Sequence, residues 1–184
     1  ITPYFYPENF RINDLAIELK NKNHKVSVLT PIPNYPEGKF YVGYGIFRKR
    51  KEYWNGINIY RSLLIPRGAG SNISLAISWI SSIFGNLFTS LFILNNSFDL
   101  IFVFGPSPFT ICLPAIFIKK IKRIPICFWV QDLWPESVSS AGKLKTVLLP
   151  KLLMPLVKFT YNNCDTILVS SPGFIESIKE KNIR

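Results

Sequence analysis

The stretch FDLIFVFGPSPFTICLPAIFIKKIKRIPICFWVQDLWPES, residues 98–137, decides the fold. It opens on an apolar run that ends at Gly105 and a Pro-Ser-Pro turn. A helical segment follows, with Lys119, Lys120, Lys122 and Arg123 at its far end. A second apolar run then stops at Gln131 and Asp132. Runs that are apolar at almost every position, rather than at alternate ones, belong to strands covered on both faces, the habit of parallel sheets flanked by helices. Strand, helix and strand in this order make a βαβ unit.

The same alternation extends outward. Residues 12–22 read as a helix with Ile12, Leu15, Ala16 and Leu19 on one face, and residues 25–30 (KVSVLT) alternate like a strand. PIPNYPEGKFYVGYG, residues 31–45, is punctuated by Pro, Asn and Gly as a long ordered loop. FRKRK is a basic patch, and an Asn55-Gly56 turn leads into a strand over residues 57–64. A long apolar helix covers residues 73–94, a helix with proline irregularities residues 145–164, and a strand residues 165–171. A last helix starts at Pro172, which suits a first turn. With a strand read before Ile12 and cut short at Ile1, six strands alternating with helices predict one α/β domain, a Rossmann-like doubly wound parallel sheet.

A length of 184 residues with 48% hydrophobic side chains fits one domain with a well-filled core. Twenty-two Lys and Arg against eleven Asp and Glu point to an anionic partner: nucleic acid, a membrane surface or a phosphorylated substrate. FRKRK and KKIKR lack interleaved aromatic residues and no recognition motif accompanies them, so no nucleic-acid partner is expected. No Gly-x-Gly-x-x-Gly follows the first strand, which argues against a dehydrogenase-like nucleotide binder. Cys112, Cys127 and Cys164 are far apart in sequence and read as reduced core thiols of a cytosolic protein. His24 is the one histidine, and the acids show no metal-ligand spacing, so no metal is expected. The helix at 73–94 is long enough to cross a bilayer, but Ser78, Ser81, Ser82, Asn86, Thr89 and Ser90 form a polar stripe beside an apolar one. That pattern favours an amphipathic helix, buried or lying on a membrane surface, over a true span.

YFYPENFRINDLAIEL (4–19), HKVSVLTPIPNYPEGKFYVGYG (24–45) and VQDLWPESV (130–138), in this order and on these elements, resemble the amino-terminal half of family 4 glycosyltransferases. Within that family they are most similar to bacterial O-antigen and capsule enzymes described as L-fucosamine transferases. The resemblance covers nearly the whole chain. It implies the GT-B architecture, two Rossmann-like domains facing across a cleft, with residues 1–184 as the acceptor-side domain and the carboxy-terminal donor-binding domain absent. The implied activity is retaining transfer of an N-acetylated amino sugar from a nucleotide sugar, UDP-linked, to a lipid-linked saccharide in surface polysaccharide synthesis. The implied location is cytoplasmic, peripheral to the inner face of the cell membrane, and no cofactor is implied beyond the donor substrate. The alternative reading is a non-enzymatic nucleotide- or nucleic-acid-binding α/β domain.

Many relatives carry a Gly-Gly pair in the loop after strand one, where backbone amides meet the donor phosphates. Here the loop reads Glu8-Asn9-Phe10-Arg11. Glu8, Asn9 and Arg11 become the donor-side candidates, Arg11 through a bidentate pair with phosphate. Arg11 as a solvated residue behind an Asn9 N-cap is the competing reading. Where relatives often have His-Asp, this chain has Gln131-Asp132, so no imidazole acts there. Asp132 is the catalytic candidate, orienting a reacting hydroxyl, or else a helix-capping acid. Asn34, Tyr35, Gly105, Ser107, Gln131 and Trp134 are the acceptor-side candidates. Turn chemistry or core packing competes for each.

Overall fold

The computed structural model describes residues 1–93, 97–137, 148–181 and 183. They divide into two units, Ile1–Ser97 and Phe98–Arg184. In the first, α1 (Arg11–Asn21) is followed by β1 (Ser27–Pro31), β2 (Lys51–Trp54), β3 (Ile57–Ser62) and α2 (Asn72–Ile93). β1 and β3 pair in parallel, Val28 opposite Ile59, and β2 runs antiparallel on the other side of β3. Asn55 and Gly56 both hold positive φ, 47° and 83°, the geometry whose twist suits a two-residue hairpin. The basic patch therefore feeds a strand of its own, whose side chains alternate between exposed and half-buried. Phe5, Ile12, Ala16, Val28, Leu29, Ile57 and Ile59 form the buried core, and α2 lies against β1 and β3.

No strand precedes α1 among the described residues. Thr2 N donates to Leu29 O (3.1 Å), a single rung beside β1. Pro3 has no N–H with which to continue a ladder, and the Thr2 hydroxyl turns to Tyr4 O (2.8 Å) instead.

The second unit is the βαβ arrangement expected of residues 98–137. β4 (Ile101–Gly105) leads through a 3-10 turn (Phe109–Cys112) into α3 (Leu113–Lys122) and β5 (Ile126–Val130). α4 (Leu148–Asn162), β6 (Thr166–Val169) and α5 (Pro172–Glu180) follow. The three strands are parallel in the order β4-β5-β6. Asp165, just before β6, ties the starts of β5 and β6, its Oδ2 accepting from Lys119 Nζ and from Ile126 N, both at 2.7 Å. Lys119, drawn from the basic end of α3, holds the Asp165 carboxyl below the usual carboxylate range.

The class is thus α/β with a parallel sheet and flanking helices. The single six-stranded parallel sheet expected from the sequence is corrected to two three-stranded sheets, the first of them mixed. In a doubly wound order strand one is central. Here Pro3 reduces that strand to one rung, and the hairpin adds an antiparallel strand that charge had disguised. All three cysteines are free thiols, and Cys112 and Cys164, remote in sequence, bring their sulfurs to 3.6 Å. The shared hydrogen bond, then burial, push the Cys112 thiol well up, which keeps it protonated. Residue 94 of the predicted long helix, residues 145–147 of the next and Val138 lie outside the described residues.

Gly85 sets how closely α2 approaches the chain leaving β3. A Cβ there would stand 1.9 Å from Leu63 O. Replacing glycine by alanine in an open helix interior stabilises by about 1 kcal/mol. Gly85→Ala should do the reverse and cost about 1–3 kcal/mol, because the helix must move off the backbone it touches. Thermal denaturation of the variant checks the sign.

Candidate functional site

Glu8 is 2% exposed and its carboxylate faces inward. Oε1 accepts from the backbone N–H of Asn34 (2.9 Å) and of Tyr35 (2.7 Å), and Oε2 accepts from Phe5 N (3.3 Å). Burial pushes its pKa up, against the pull of these bonds and of Arg61. Both carboxylate oxygens of the donor-side candidate Glu8 are thus engaged inside the protein: Oε1 holds the 31–45 loop against the segment before α1, and Oε2 closes the turn back to Phe5. Asn9 is exposed and is not the N-cap. That position belongs to Phe10, in extended conformation and without a side-chain cap, while Asn13 Nδ2 reaches back to Glu8 O (2.8 Å). Arg11 is exposed at the first position of α1.

Asn34 is buried, with Nδ2 on Ile32 O (3.1 Å), so its role is to shape the loop. Tyr35 is the member of this group that meets solvent. Its ring centroid lies 5.0 Å from that of Tyr4 and 5.4 Å from that of Phe10, with the Arg67 guanidinium 5.2 Å above it. Arg67 also donates to Pro36 O (2.6 Å). An aromatic cluster edged by a guanidinium is able to stack a sugar or a base. Arg67 is absent from the sequence reading because nothing in "IPRGAG" ties it to a loop some thirty residues earlier.

Beneath this cluster lies a buried ion pair that sequence reasoning also missed. Arg61 is 0% exposed; Nε donates to Glu52 Oε2 (2.8 Å), and Nη2 bonds both that carboxylate and Tyr6 O. The Tyr44 hydroxyl donates to Glu52 Oε1 (2.8 Å), and burial followed by that bond raises the Tyr44 pKa. A signal did exist. In β3, Ile57, Ile59 and Arg61 share one face by the period of two, and the two isoleucines mark that face as core.

In the second unit the candidates gather at the carboxyl ends of the parallel strands. Gly105 ends β4 and receives Gln131 N on its carbonyl (3.1 Å). Its missing Cβ is filled by the Phe128 ring, whose Cε2 would lie 2.4 Å away, so Gly105 serves packing and backbone geometry. Gln131 Nε2 donates to the Ser170 hydroxyl just past β6 (3.2 Å). Asp132 is half-buried. Burial pushes its carboxyl up and a hydrogen bond from the Ser107 hydroxyl pulls it down. Ser107, Gln131, Asp132 and Ser170 thus bring hydroxyl, amide and carboxylate groups to the edge where open α/β sheets bind ligands. Trp134 is 6% exposed and packs on Phe109, centroids 5.3 Å apart, the geometry of the core-packing alternative. Among the described residues no group of three or more His, Cys, Asp and Glu could hold a metal ion.

The Glu8 knot predicts a pH dependence. A carboxyl whose folded pKa is raised binds its proton more tightly in the folded state, so the stability it lends is full below the unfolded value of 4.5 and is lost as pH rises through the folded pKa. Glu8→Gln removes that titration while keeping an acceptor for Asn34 and Tyr35. The melting temperature of the variant relative to the parent should therefore rise with pH between 4.5 and the folded pKa, and be constant below and above that window. Glu8→Ala leaves three buried N–H groups unpartnered and should cost about 3 kcal/mol or more at any pH.

No protein-family model matches the sequence, and no curated protein matches it significantly.

Proposed function

We propose that the chain carries the acceptor-side half of a retaining glycosyltransferase that moves a sugar from a nucleotide sugar to a lipid-linked saccharide. The observation that supports this most is the polar array at the ends of β4, β5 and β6. A serine hydroxyl, a glutamine amide, a second serine and a carboxylate offer the mixed donors and acceptors that sugar hydroxyls require. The motif resemblance of VQDLWPESV falls on the same strand end. Arg67 and Tyr35 in the first unit provide an aromatic and cationic surface suited to a sugar nucleotide.

In this reading Asp132 accepts a hydrogen bond from the acceptor hydroxyl and aims its oxygen at the anomeric carbon. The new C–O bond forms on the face from which the bond to the donor phosphate breaks, and the departing diphosphate takes the proton. Asp132 then orients and need not hold the proton itself. The hydrogen bond from Ser107 favours the ionised carboxylate and so opposes, without cancelling, the effect of burial.

The test uses the product of the full reading frame, incubated with UDP-sugars and short lipid-linked saccharides. Asp132→Asn should lower turnover by about a hundredfold or more with little change in melting temperature. Loss of folding with normal specific activity in the surviving protein would assign Asp132 a capping role instead. Ser107→Ala removes the bond that opposes burial, so the Asp132 carboxyl should titrate higher still. The acid limb of the pH–rate profile should then move to higher pH, and an unmoved limb would separate Ser107 from the reaction.

A further inference from the structure

α2 is inside out for a helix in water. Its small polar residues are turned toward the sheet: Asn86 is 0% exposed, and Ser78, Thr89 and Ser90 are buried with it. Several serines satisfy their hydroxyls on the helix itself, Ser81 on Ser78 O (2.9 Å) and Ser90 on Leu87 O (2.6 Å). Ile73, Ile77, Ile80, Phe84, Phe88 and Phe92 face outward, Phe84 at 66% exposure. Their spacing of three and four residues makes one continuous stripe along a helix of 22 residues. Between the stripe and Leu63 and Ile65 runs an apolar groove of about 530 Å3.

We propose that this outer face is a docking surface for the hydrocarbon of an anionic phospholipid monolayer, with α2 lying flat in it. Three features select lipid. Small polar residues inward and large apolar residues outward are the arrangement of helices whose outer solvent is hydrocarbon. Protein interfaces are edged by polar and charged groups, and residues 68–98 contain no charged residue at all. Residues 1–97 otherwise carry eleven Lys and Arg against five Asp and Glu, a balance complementary to anionic headgroups.

The helix passes the length and composition test for a membrane span. A span would have to be surrounded by lipid, yet one side of α2 is committed to β1 and β3, and Gly85 is seated against Leu63 O. Entry from the side is the geometry left open. The inference stands on α2 and the charge of the first unit and not on the proposed activity: a chain that docks on vesicles and transfers no sugar leaves it intact while removing that activity.

The test is flotation of the chain with vesicles of phosphatidylcholine and of phosphatidylcholine mixed with phosphatidylglycerol. Binding should favour the mixed vesicles. Phe84→Glu combined with Phe88→Glu should weaken it at least tenfold while the melting temperature holds, as both side chains are exposed. Should that pair fail to fold, Ile73→Glu in the first turn repeats the measurement. Phe84→Trp should gain fluorescence that brominated acyl chains quench. Absence of binding, equal binding by the glutamate variants, or retention after a carbonate wash would each overturn the proposal. A dimer in lipid-free sedimentation that the glutamates dissociate would overturn it in favour of a second copy.

Discussion

A backbone amide that loses water must find another acceptor, and in the first unit three of them find the same one. Phe5, Asn34 and Tyr35 all donate to Glu8, so one carboxylate closes the segment before α1 against a loop that starts beyond β1. Both segments are rich in proline and aromatic residues and lack a regular ladder, so they are held by individual bonds of this kind. The amide of Tyr35 fixed on Glu8 helps set its ring beside Tyr4 and Phe10, together with the Tyr41 hydroxyl on Tyr35 O and Arg67 over the ring. Arg61 adds a second anchor by bonding Tyr6 O from β3. The exposed aromatic surface therefore depends on charges that no solvent reaches.

The second unit solves the same problem by regular means. Its amides are paired in a parallel ladder, and Asp165 and Lys119 secure the end of the sheet away from the candidate site. That division is the usual one in α/β folds: stability at one end of the strands, chemistry at the other. Gly105 and Phe128 show how tightly the site end is built, since the ring occupies the volume a side chain at Gly105 would need.

What the sequence makes legible follows from how local each cause is. β4, α3 and β5 are readable because their apolar runs are continuous and their turns carry Pro and Gly. α2 is readable as amphipathic, but periodicity alone does not say which stripe faces in. Only its seat on β1 and β3 does. β2 is hidden because KEYW is short and charged, and the missing first strand is hidden because one proline decides it. Glu8 shows the limit most clearly. Its partners lie 26 and 27 residues away and are backbone groups, which every residue type supplies, so no side chain advertises the bond. Trp134 is ambiguous for a different reason, because a core and a sugar platform ask for the same aromatic residue. Asp132 and Gln131 are legible because the strand that carries them ends where their polarity begins.

Gly85 has a consequence for how the gene can change. Successive residues of an α-helix are turned by about 100°. Gly85 touches the backbone at Leu63, so the phase of α2 is set at that point. One codon gained or lost between Ser78 and Phe84 would leave Phe84 and Phe88 in place and swing Ile73 and Ile77 away by more than a quarter turn. The stripe would break into two faces, and Ser78 would leave its buried place while Asn86, Thr89 and Ser90 kept theirs. Substitutions among Ile, Leu and Phe on the outer face leave that phase untouched, so the reading frame of the helix is guarded more closely than its spelling.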